Sequence, residues 1–185
     1  ADGRGSATRE AAGISVTGWR YNQNAIVATI GHTVSHQGIA HERFLASGPF
    51  AILPLKGGHR SSLVWTERSA LVDSFMALDD DAFLSEITER VGGFLGDLSL
   101  VGPRFQHPLG LQVASSYTDT RLALVGDAAH GIHPIAGQGL NLGLRDAAAL
   151  IDILVEAKRY GLDLAHSAGL ERYQRWRRAE NLLMA

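Results

Sequence analysis

One stretch of the sequence, from Val125 to Leu150, combines the residue types that a polar ligand site needs. Asp127 closes an apolar, strand-like run, where its carboxylate can accept hydrogen bonds from hydroxyls such as those of a ribose or a ribityl chain. Gly137 and Gly139 precede a helix-like run, and the N–H groups at a helix start attract partial negative charge. Pro134 stiffens the segment between them. The combined spacing indicates a binding site, because no single turn needs all of these residues.

Three other chemistries fit this stretch less well. Asp127, His130 and His133 are three residues apart, whereas helix-borne metal ligands need i,i+4 spacing and Pro134 disfavours a helix here. A phosphate-binding loop would need a lysine after the glycines, and residues 138–141 contain none. A hydrolase elbow would need G-x-S-x-G, which the sequence lacks. We therefore expect no metal, no P-loop and no serine nucleophile.

Two kinds of element must position this stretch. The run "TRLALVGD" predicts a short strand, buried on both faces of a parallel sheet and ending near Val125. A long helix is predicted from about Leu140 to Arg159, and a final helix from about Ala168 to Met184. One face of the long helix carries Leu144, Ala148, Ile151 and Val155. One side of the final helix carries Leu170, Tyr173 and Trp176, with Arg172, Arg175, Arg177 and Arg178 elsewhere.

For the rest of the chain the sequence predicts a turn with a short helix, then strands, then more helices. Ser6 is a plausible N-cap for the short helix. The runs "AIVATIGHTV", "ERFLAS", "FAILPL" and "RSSLVWTE" predict an antiparallel sheet with Trp65 on its covered face, and the last two strands form a hairpin. Two helices follow Arg68, the second with Phe83, Ile87, Val91 and Leu95 at helical spacing and with Asp79–Asp81 at its start. A further strand is predicted through "RFQHPLGLQVASSY".

Composition narrows the class of protein. The 185 residues are 45% hydrophobic, which is enough to bury a core, and the net charge of −2 gives no basic field for nucleic acid. The absence of cysteine excludes disulfides, thiolate metal sites and thiol catalysis. We expect a globular, cytoplasmic protein that does not bind nucleic acid.

Three motifs carry a resemblance to a known family. The segment "HPIAGQGLNLGLRD", His133 to Asp146, is similar to the signature of the flavin-dependent aromatic hydroxylases of ubiquinone biosynthesis, the 2-polyprenylphenol and polyprenyl-methoxyphenol hydroxylases. The segment "RLALVGDAAH" resembles the Gly-Asp motif of the wider para-hydroxybenzoate hydroxylase-like group, and "ADGRGSATR" resembles its Asp-Gly motif. The middle portion, with "FAILPL" and "SLVWTE", looks like the same branch. The resemblance covers nearly the whole chain.

The resemblance implies an α+β fold: an antiparallel, substrate-covering sheet with helices, plus the C-terminal part of an FAD-binding α/β domain. It implies that Gly126 and Asp127 contact the ribityl chain or the pyrophosphate, and that Pro134 lines the reacting face of the isoalloxazine. The pyrimidine edge would meet backbone N–H groups of Gly137, Gln138, Gly139, Leu140 and Asn141. Asp2 and Arg9 would serve the Asp-Gly motif. No general acid or base is assigned.

The activity implied is that of an FAD-dependent monooxygenase. In such enzymes NAD(P)H reduces FAD, oxygen forms a flavin hydroperoxide, and one oxygen atom passes to the ring of a polyprenylated phenol. Two alternatives stay open: another FAD-dependent hydroxylase or reductase of the same fold, and a non-catalytic subunit of a biosynthetic complex.

The chain departs from the family pattern at its start, because no strand-GxGxxG-helix unit is found. We therefore expect a C-terminal piece of the enzyme that does not retain FAD tightly. The predicted segments are 1–13 (end of the Asp-Gly motif), 14–117 (substrate-binding sheet) and 118–185 (C-terminal part of the FAD-binding domain). The arginine-rich final helix suits peripheral contact with the inner face of a membrane, and its apolar side suits a homo-oligomer or a ubiquinone-biosynthesis complex.

Overall fold

The computed structural model describes residues 1–134 and 137–184, and the chain divides into two compact units. The first unit comprises Ala1–Trp19 and Gly110–Ala185, and the second comprises Arg20–Leu109. The unit boundaries therefore lie several residues from the predicted segment ends at 13 and 117. The reason is that both boundaries fall inside long strands rather than in linkers, and a strand that continues through a boundary leaves no break in the sequence pattern.

Strands and helices follow one another in groups along the chain. The strands are β1 (Val16–His32), β2 (His41–Leu45), β3 (Gly48–Pro54), β4 (Arg60–Arg68), β5 (Leu98–Leu100), β6 (Phe105–Ala114), β7 (Thr118–Asp119), β8 (Leu122–Ala123) and β9 (His130–Gly131). The helices are α1 (Ala7–Ala11), α2 (Ser69–Met76), α3 (Asp80–Val91), α4 (Gly139–Arg159) and α5 (Ser167–Leu183). No helix in the described part of the chain is both long and apolar enough to cross a bilayer.

The second unit is built on antiparallel strands in the order β2-β3-β4-β1, with β5 also paired to β1. Trp65 on β4 lies between Ile26 on β1 and Phe50 on β3 in the strand register. All three side chains are fully or almost fully buried. The predicted sheet, its hairpin and the covered position of Trp65 are confirmed.

Helices α2 and α3 cover this face of the sheet. Phe83 and Ile87 of α3 are completely buried in the same core cluster as Trp65. Asp79 caps α3 through a hydrogen bond from the Ala82 N–H (2.8 Å), which satisfies one of the free donors at the helix start. The helix ends at Gly92, whose φ of 84° is a left-handed conformation that glycine adopts freely. Leu95 was predicted on the helix, but it lies beyond this stop and joins the core from the following loop.

The first unit holds α1, α4 and α5. Ser6 is the N-cap of α1, as predicted, and its Oγ accepts a hydrogen bond from Arg9 N–H (3.0 Å). Strand β9 pairs antiparallel with the end of β6. Tyr173 of α5 is fully buried and donates a hydrogen bond from Oη to the Leu124 carbonyl (2.7 Å), which ties α5 to the segment before the Gly-Asp motif.

The predicted parallel strand at 120–127 is wrong. Only Leu122 and Ala123 form a strand, and they pair antiparallel with Asp119 and Thr118 in a two-stranded sheet. Arg121 adopts a positive φ of 57°, so the chain turns back tightly and β8 finds its partner four residues earlier. An apolar run alone did not reveal this local turn.

The apolar faces predicted for the last two helices coincide only in part with the buried faces. In α4 the predicted apolar residues are exposed, and the buried residues are Leu142, Asp146, Ala149, Ile153 and Ala157. In α5, Leu170 and Tyr173 are buried, whereas Trp176 is 46% exposed and Arg177 is 1% exposed. Hydropathy does not locate the buried faces fully because each of them carries a charge, Asp146 on α4 and Arg177 on α5.

Candidate functional site

The Gly-Asp motif forms a tight turn that presents one carboxylate to solvent. Val125 is extended, and residues Gly126–Ala128 then form a single 3-10 turn. Gly126 has a φ of +60°, a conformation that costs a residue with a Cβ. The turn leaves the Asp127 side chain 54% exposed. Asp127 is therefore available to accept hydrogen bonds, as its predicted role requires.

Arg9 holds this turn from one side. It is 4% exposed, and its Nη1 donates a hydrogen bond to the Ala128 carbonyl (3.0 Å). Its Nη2 donates to the Arg4 carbonyl (2.9 Å), so a single guanidinium bridges the Asp-Gly and Gly-Asp motifs. The structure thus gives Arg9 a clear role in linking the two motifs. Direct contact of Arg9 with a cofactor stays a prediction.

Asp2 organises the start of the chain. Its Oδ2 accepts a hydrogen bond from the Thr8 N–H (3.1 Å). Hydrogen bonds from the Ser6 hydroxyl and the Thr8 backbone hold the pKa of Asp2 below its ordinary value, so this exposed group is a carboxylate at neutral pH. Asp2 therefore supports the α1 turn, and its predicted contribution to cofactor binding stays a prediction.

Arg4 is a charged residue near the site that sequence reasoning missed. Its Nε lies 3.9 Å from Asp127 Oδ2, and its Nη2 donates hydrogen bonds to the Gly110 (2.9 Å) and Ile132 (3.3 Å) carbonyls. Arg4 occupies a variable position of the Asp-Gly motif pattern, so the motif gave no signal for it. Its cation beside Asp127 makes this end of the site attractive to a polyanionic group such as a pyrophosphate.

The start of α4 supplies the second part of the site. Gln138 is the N-cap of α4, and its own side chain makes no capping hydrogen bond to the helix start. Leu140 is 74% exposed, and Asn141 donates from Nδ2 to Gln138 Oε1 (3.2 Å). Pro134 is half-buried ahead of this start, and Ile135 and Ala136 of the motif lie outside the described residues.

The two glycines at this start carry different information. Gly137 has a φ of +60°, and this backbone conformation by itself accounts for a glycine at the position. Gly139 has no positive φ, and a Cβ built there would meet no atom of the described residues within 4 Å. The described part of the chain therefore gives no packing reason for Gly139, whereas close approach of a bound ligand to the backbone would.

Asp127, His130 and His133, whose spacing disfavours a metal site, do not converge in the structure. His130 is buried, and its Nε2 is hydrogen bonded to Asp146 Oδ2 (2.5 Å) rather than turned towards Asp127. The described residues contain no group of three histidine or carboxylate side chains placed to hold a metal ion.

Asp146, the last residue of the signature, lies at the centre of a buried polar cluster that the sequence did not predict. Arg177 Nε donates to Asp146 Oδ1 (2.8 Å), and the Gly126 N–H donates to Oδ2 (2.9 Å). Burial alone would raise the pKa of Asp146, but hydrogen bonds from His130, Arg177 and Gly126 outweigh it and hold the pKa below its ordinary value. Burial opposes the charge of Arg177 too, yet its bonds to Asp146 and Glu180 leave its pKa raised. The pair is therefore ionised.

The donor set fits the ribityl and isoalloxazine half of FAD. An exposed carboxylate suits the ribityl hydroxyls, and a helix start with an otherwise unexplained glycine suits a ring edge that accepts hydrogen bonds and carries partial negative charge. When bound, FAD supplies the redox chemistry, and the chain supplies orientation and electrostatics.

Comparisons with known proteins relate the chain to FAD-binding proteins. Residues 1–182 match the family described as FAD binding domain. The chain is 56% identical over 184 residues to the ubiquinone hydroxylase UbiL of Rhodospirillum rubrum, and the match covers 100% of this chain and 43% of that protein. It is 40% identical over 185 residues to the 3-demethoxyubiquinol 3-hydroxylase of Escherichia coli, covering 100% of this chain and 46% of that protein.

Solved structures give the same fold. The chain superposes on pqsL, a probable FAD-dependent monooxygenase of Pseudomonas aeruginosa, with a TM-score of 0.80 and 26% identity, over 99% of this chain and 51% of that one.

The fold and the site together define an FAD-binding protein with the para-hydroxybenzoate hydroxylase-like architecture, which confirms the predicted fold class. The chain belongs to the FAD binding domain family. The predicted relationship to the hydroxylases of ubiquinone biosynthesis is confirmed by the two named relatives. The chain spans less than half the length of these relatives, 43% and 46%.

Proposed function

We propose that the protein is an FAD-dependent monooxygenase that hydroxylates the ring of a polyprenylated phenol in ubiquinone biosynthesis, with NAD(P)H as reductant and O2 as co-substrate. The proposal rests on the exposed Asp127 turn and on the start of α4, where Gly139 follows an N-cap residue whose side chain makes no capping hydrogen bond. These features occur in a chain that is 56% identical to a ubiquinone hydroxylase. The bound flavin would supply oxygen activation and transfer.

The residues of this chain would bind and orient the flavin. Asp127 would accept hydrogen bonds from ribityl hydroxyls and so fix the distance between the ring system and the Gly-Asp turn. The N–H groups at the α4 start, including that of Gly139, would stabilise negative charge on the pyrimidine edge as the ring is reduced. This stabilisation needs no side-chain ionisation, since the donors are main-chain groups already in place.

The test is NAD(P)H oxidation by the protein expressed from its complete reading frame. We expect a polyprenylated phenol to accelerate oxidation, and the product to carry one additional oxygen atom that comes from O2, as followed by mass spectrometry with labelled oxygen. Oxidation without an oxygenated product would indicate a reductase instead. Oxygenation only of phenols without a prenyl chain would indicate another hydroxylase of the same fold, and bound FAD without any turnover would indicate a non-catalytic subunit.

The proposal includes peripheral contact with a membrane, because a polyprenyl chain partitions into lipid. The connection between α4 and α5 exposes Tyr160 (74%), Leu162 (50%) and Leu164 (46%), directly after Lys158 and Arg159 in the last turn of α4. Exposed apolar side chains beside basic residues are typical of segments that bind anionic lipid surfaces. This connection supports the contact better than the predicted final helix, since Arg177 of that helix is buried.

A further inference from the structure

The buried cluster around Asp146 uses one carboxylate to satisfy four donors. The side chains of Asp146 and Arg177 are 0% and 1% exposed. Oδ1 accepts from Arg177 Nε (2.8 Å) and Asn181 Nδ2 (3.2 Å), and Oδ2 accepts from His130 Nε2 (2.5 Å) and the Gly126 N–H (2.9 Å). Three of the four donors are side chains. The fourth is the backbone of the turn that carries Asp127.

His130 donates to this cluster through Nε2. An ionised carboxylate can only accept hydrogen bonds, so the proton of the 2.5 Å contact lies on Nε2 and points at Asp146. The Nδ1 atom of the same ring is buried and has no hydrogen-bond partner among the described residues. Asp146 Oδ2 therefore accepts both from His130 and from the backbone of the turn.

Packing alone does not explain an ion pair at this place. Burying two charges costs free energy, and apolar residues of similar size would join α4 to α5 equally well or better. What apolar residues cannot do is accept a hydrogen bond from Gly126. That N–H belongs to Gly126 itself, whose φ is positive, and without Asp146 it would lose this acceptor at the residue next to Asp127.

We infer that Asp146 is a positioning residue of the flavin site: its Oδ2 fixes the Gly126 N–H and thereby sets where the Asp127 carboxylate meets the cofactor. The inference rests on the proposed function only in assuming that Asp127 binds FAD. Arg177 serves the same end, because its guanidinium orients the Asp146 carboxylate from the other side.

The chemistry of an amide at position 146 makes the inference testable. In D146N, the charge of Arg177 would draw the amide oxygen towards the guanidinium and turn the NH2 group towards Gly126. Two donors would then face each other, which displaces the turn. If Arg177→Met is added, only the uncharged amide of Asn181 remains on the Oδ1 side, so the amide oxygen can turn to Gly126 and accept the turn's N–H again. The double variant lacks the ion pair but restores the contact.

The experiment measures FAD dissociation constants for the protein expressed from its complete reading frame, as wild type, D146N and D146N/R177M. We expect D146N to weaken FAD binding about tenfold or more, the equivalent of one charge-assisted hydrogen bond. We expect D146N/R177M to recover most of that loss and to regain the wild-type flavin absorbance spectrum. If the Asp146–Arg177 pair only stabilised the two helices, removing the second charge would not restore FAD affinity.

Two variants control for loss of stability and for loss of charge. I153A removes a buried side chain from the same helix, at the end that packs near Gly169, and should lower the unfolding midpoint without changing FAD affinity. D163N converts an exposed carboxylate of the same unit, ion-paired with Arg121, and should change neither property.

The outcomes separate this inference from the proposed function. If wild type binds no FAD, the proposed function fails. If wild type binds FAD and D146N binds it equally well, or if D146N/R177M binds it no better than D146N, only the inference is overturned. Should D146N alone not fold, the double variant decides: a folded, FAD-binding double variant supports the inference, and one that also fails to fold overturns it.

Discussion

Asp127 is a predicted site residue whose side chain the structure leaves largely open to solvent. Arg4 Nε lies 3.9 Å away, a distance at which two half-exposed groups attract each other only weakly in water. The carboxylate is therefore not committed to an internal ion pair. Its neighbours Gly126 and Ala128 are instead held by Asp146 and Arg9, so the backbone is fixed while the side chain is left to a ligand.

This division of roles predicts the effect of Asp127→Ala. The substitution removes an exposed carboxylate without breaking the bonds that hold the turn, so the unfolding midpoint should change little. FAD affinity should fall about tenfold or more, the loss expected for hydrogen bonds to a charged acceptor. Fluorescence titration of FAD into the complete apoprotein measures this effect.

Asp152 provides the matched control. It is an exposed aspartate on the outer side of α4, and Asp152→Ala should leave FAD affinity unchanged. Full flavin occupancy in Asp127→Ala would show that this carboxylate does not hold the cofactor.

At the scale of the elements, sequence periodicity located most helices and strands but not which face of the last two helices is buried. Asp79 and Ser6 gave correct helix starts because caps act through local hydrogen bonds that depend on neighbouring residues only. The apolar faces predicted for α4 and α5 do not coincide fully with the buried faces, because Asp146 and Arg177 lie on the buried faces and pair with each other across 31 positions of sequence. A buried charge is recognisable only once its partner is known.

The same reasoning explains what could be predicted of the site. The Gly-Asp motif and the signature predict Asp127 and Gly139 as site residues, because chemistry directed at a ligand depends on local residue types. Arg4 and the links made by Arg9 and Asp146 depend on tertiary contacts, and residue type alone does not reveal such contacts. Gly139 is informative for the opposite reason. Neither its φ nor a close neighbour among the described residues requires a glycine there, so the approach of a ligand is the remaining reason for it.

The α4–α5 connection leads to a prediction about the membrane. Leu162→Glu together with Leu164→Glu places carboxylates where exposed apolar side chains stand beside Lys158 and Arg159. We expect the double variant to lose co-sedimentation with phosphatidylglycerol vesicles, because it loses apolar contact and gains repulsion from the anionic surface.

Phe44→Glu is the control for this change, since Phe44 is also exposed (68%) but lies on β2 in the second unit. It should sediment with vesicles like the wild type. Vesicle binding that is equal in all three proteins would exclude the α4–α5 connection as the contact.

At the scale of the whole molecule, the chain concentrates its candidate cofactor contacts on one half of FAD. The turn at Asp127 and the start of α4 are the candidate contacts for the ribityl chain and the ring. The 185 residues contain no strand-GxGxxG-helix unit, which in related folds binds the ADP half. A ligand held through part of its contacts binds with only part of the available free energy.

We therefore predict that the 185-residue chain, expressed alone, is purified with well below one FAD per protein, whereas the protein from the complete reading frame is purified with FAD bound. Absorbance of the flavin relative to that of the protein measures the ratio, after circular dichroism has shown that the shorter chain is folded. Adding excess FAD should raise the occupancy of the folded chain, and Asp127→Ala should abolish that rise. Stoichiometric flavin in the purified 185-residue chain would mean that the contacts at Asp127 and α4 suffice for tight binding, because no GxGxxG unit would then be needed to hold the cofactor.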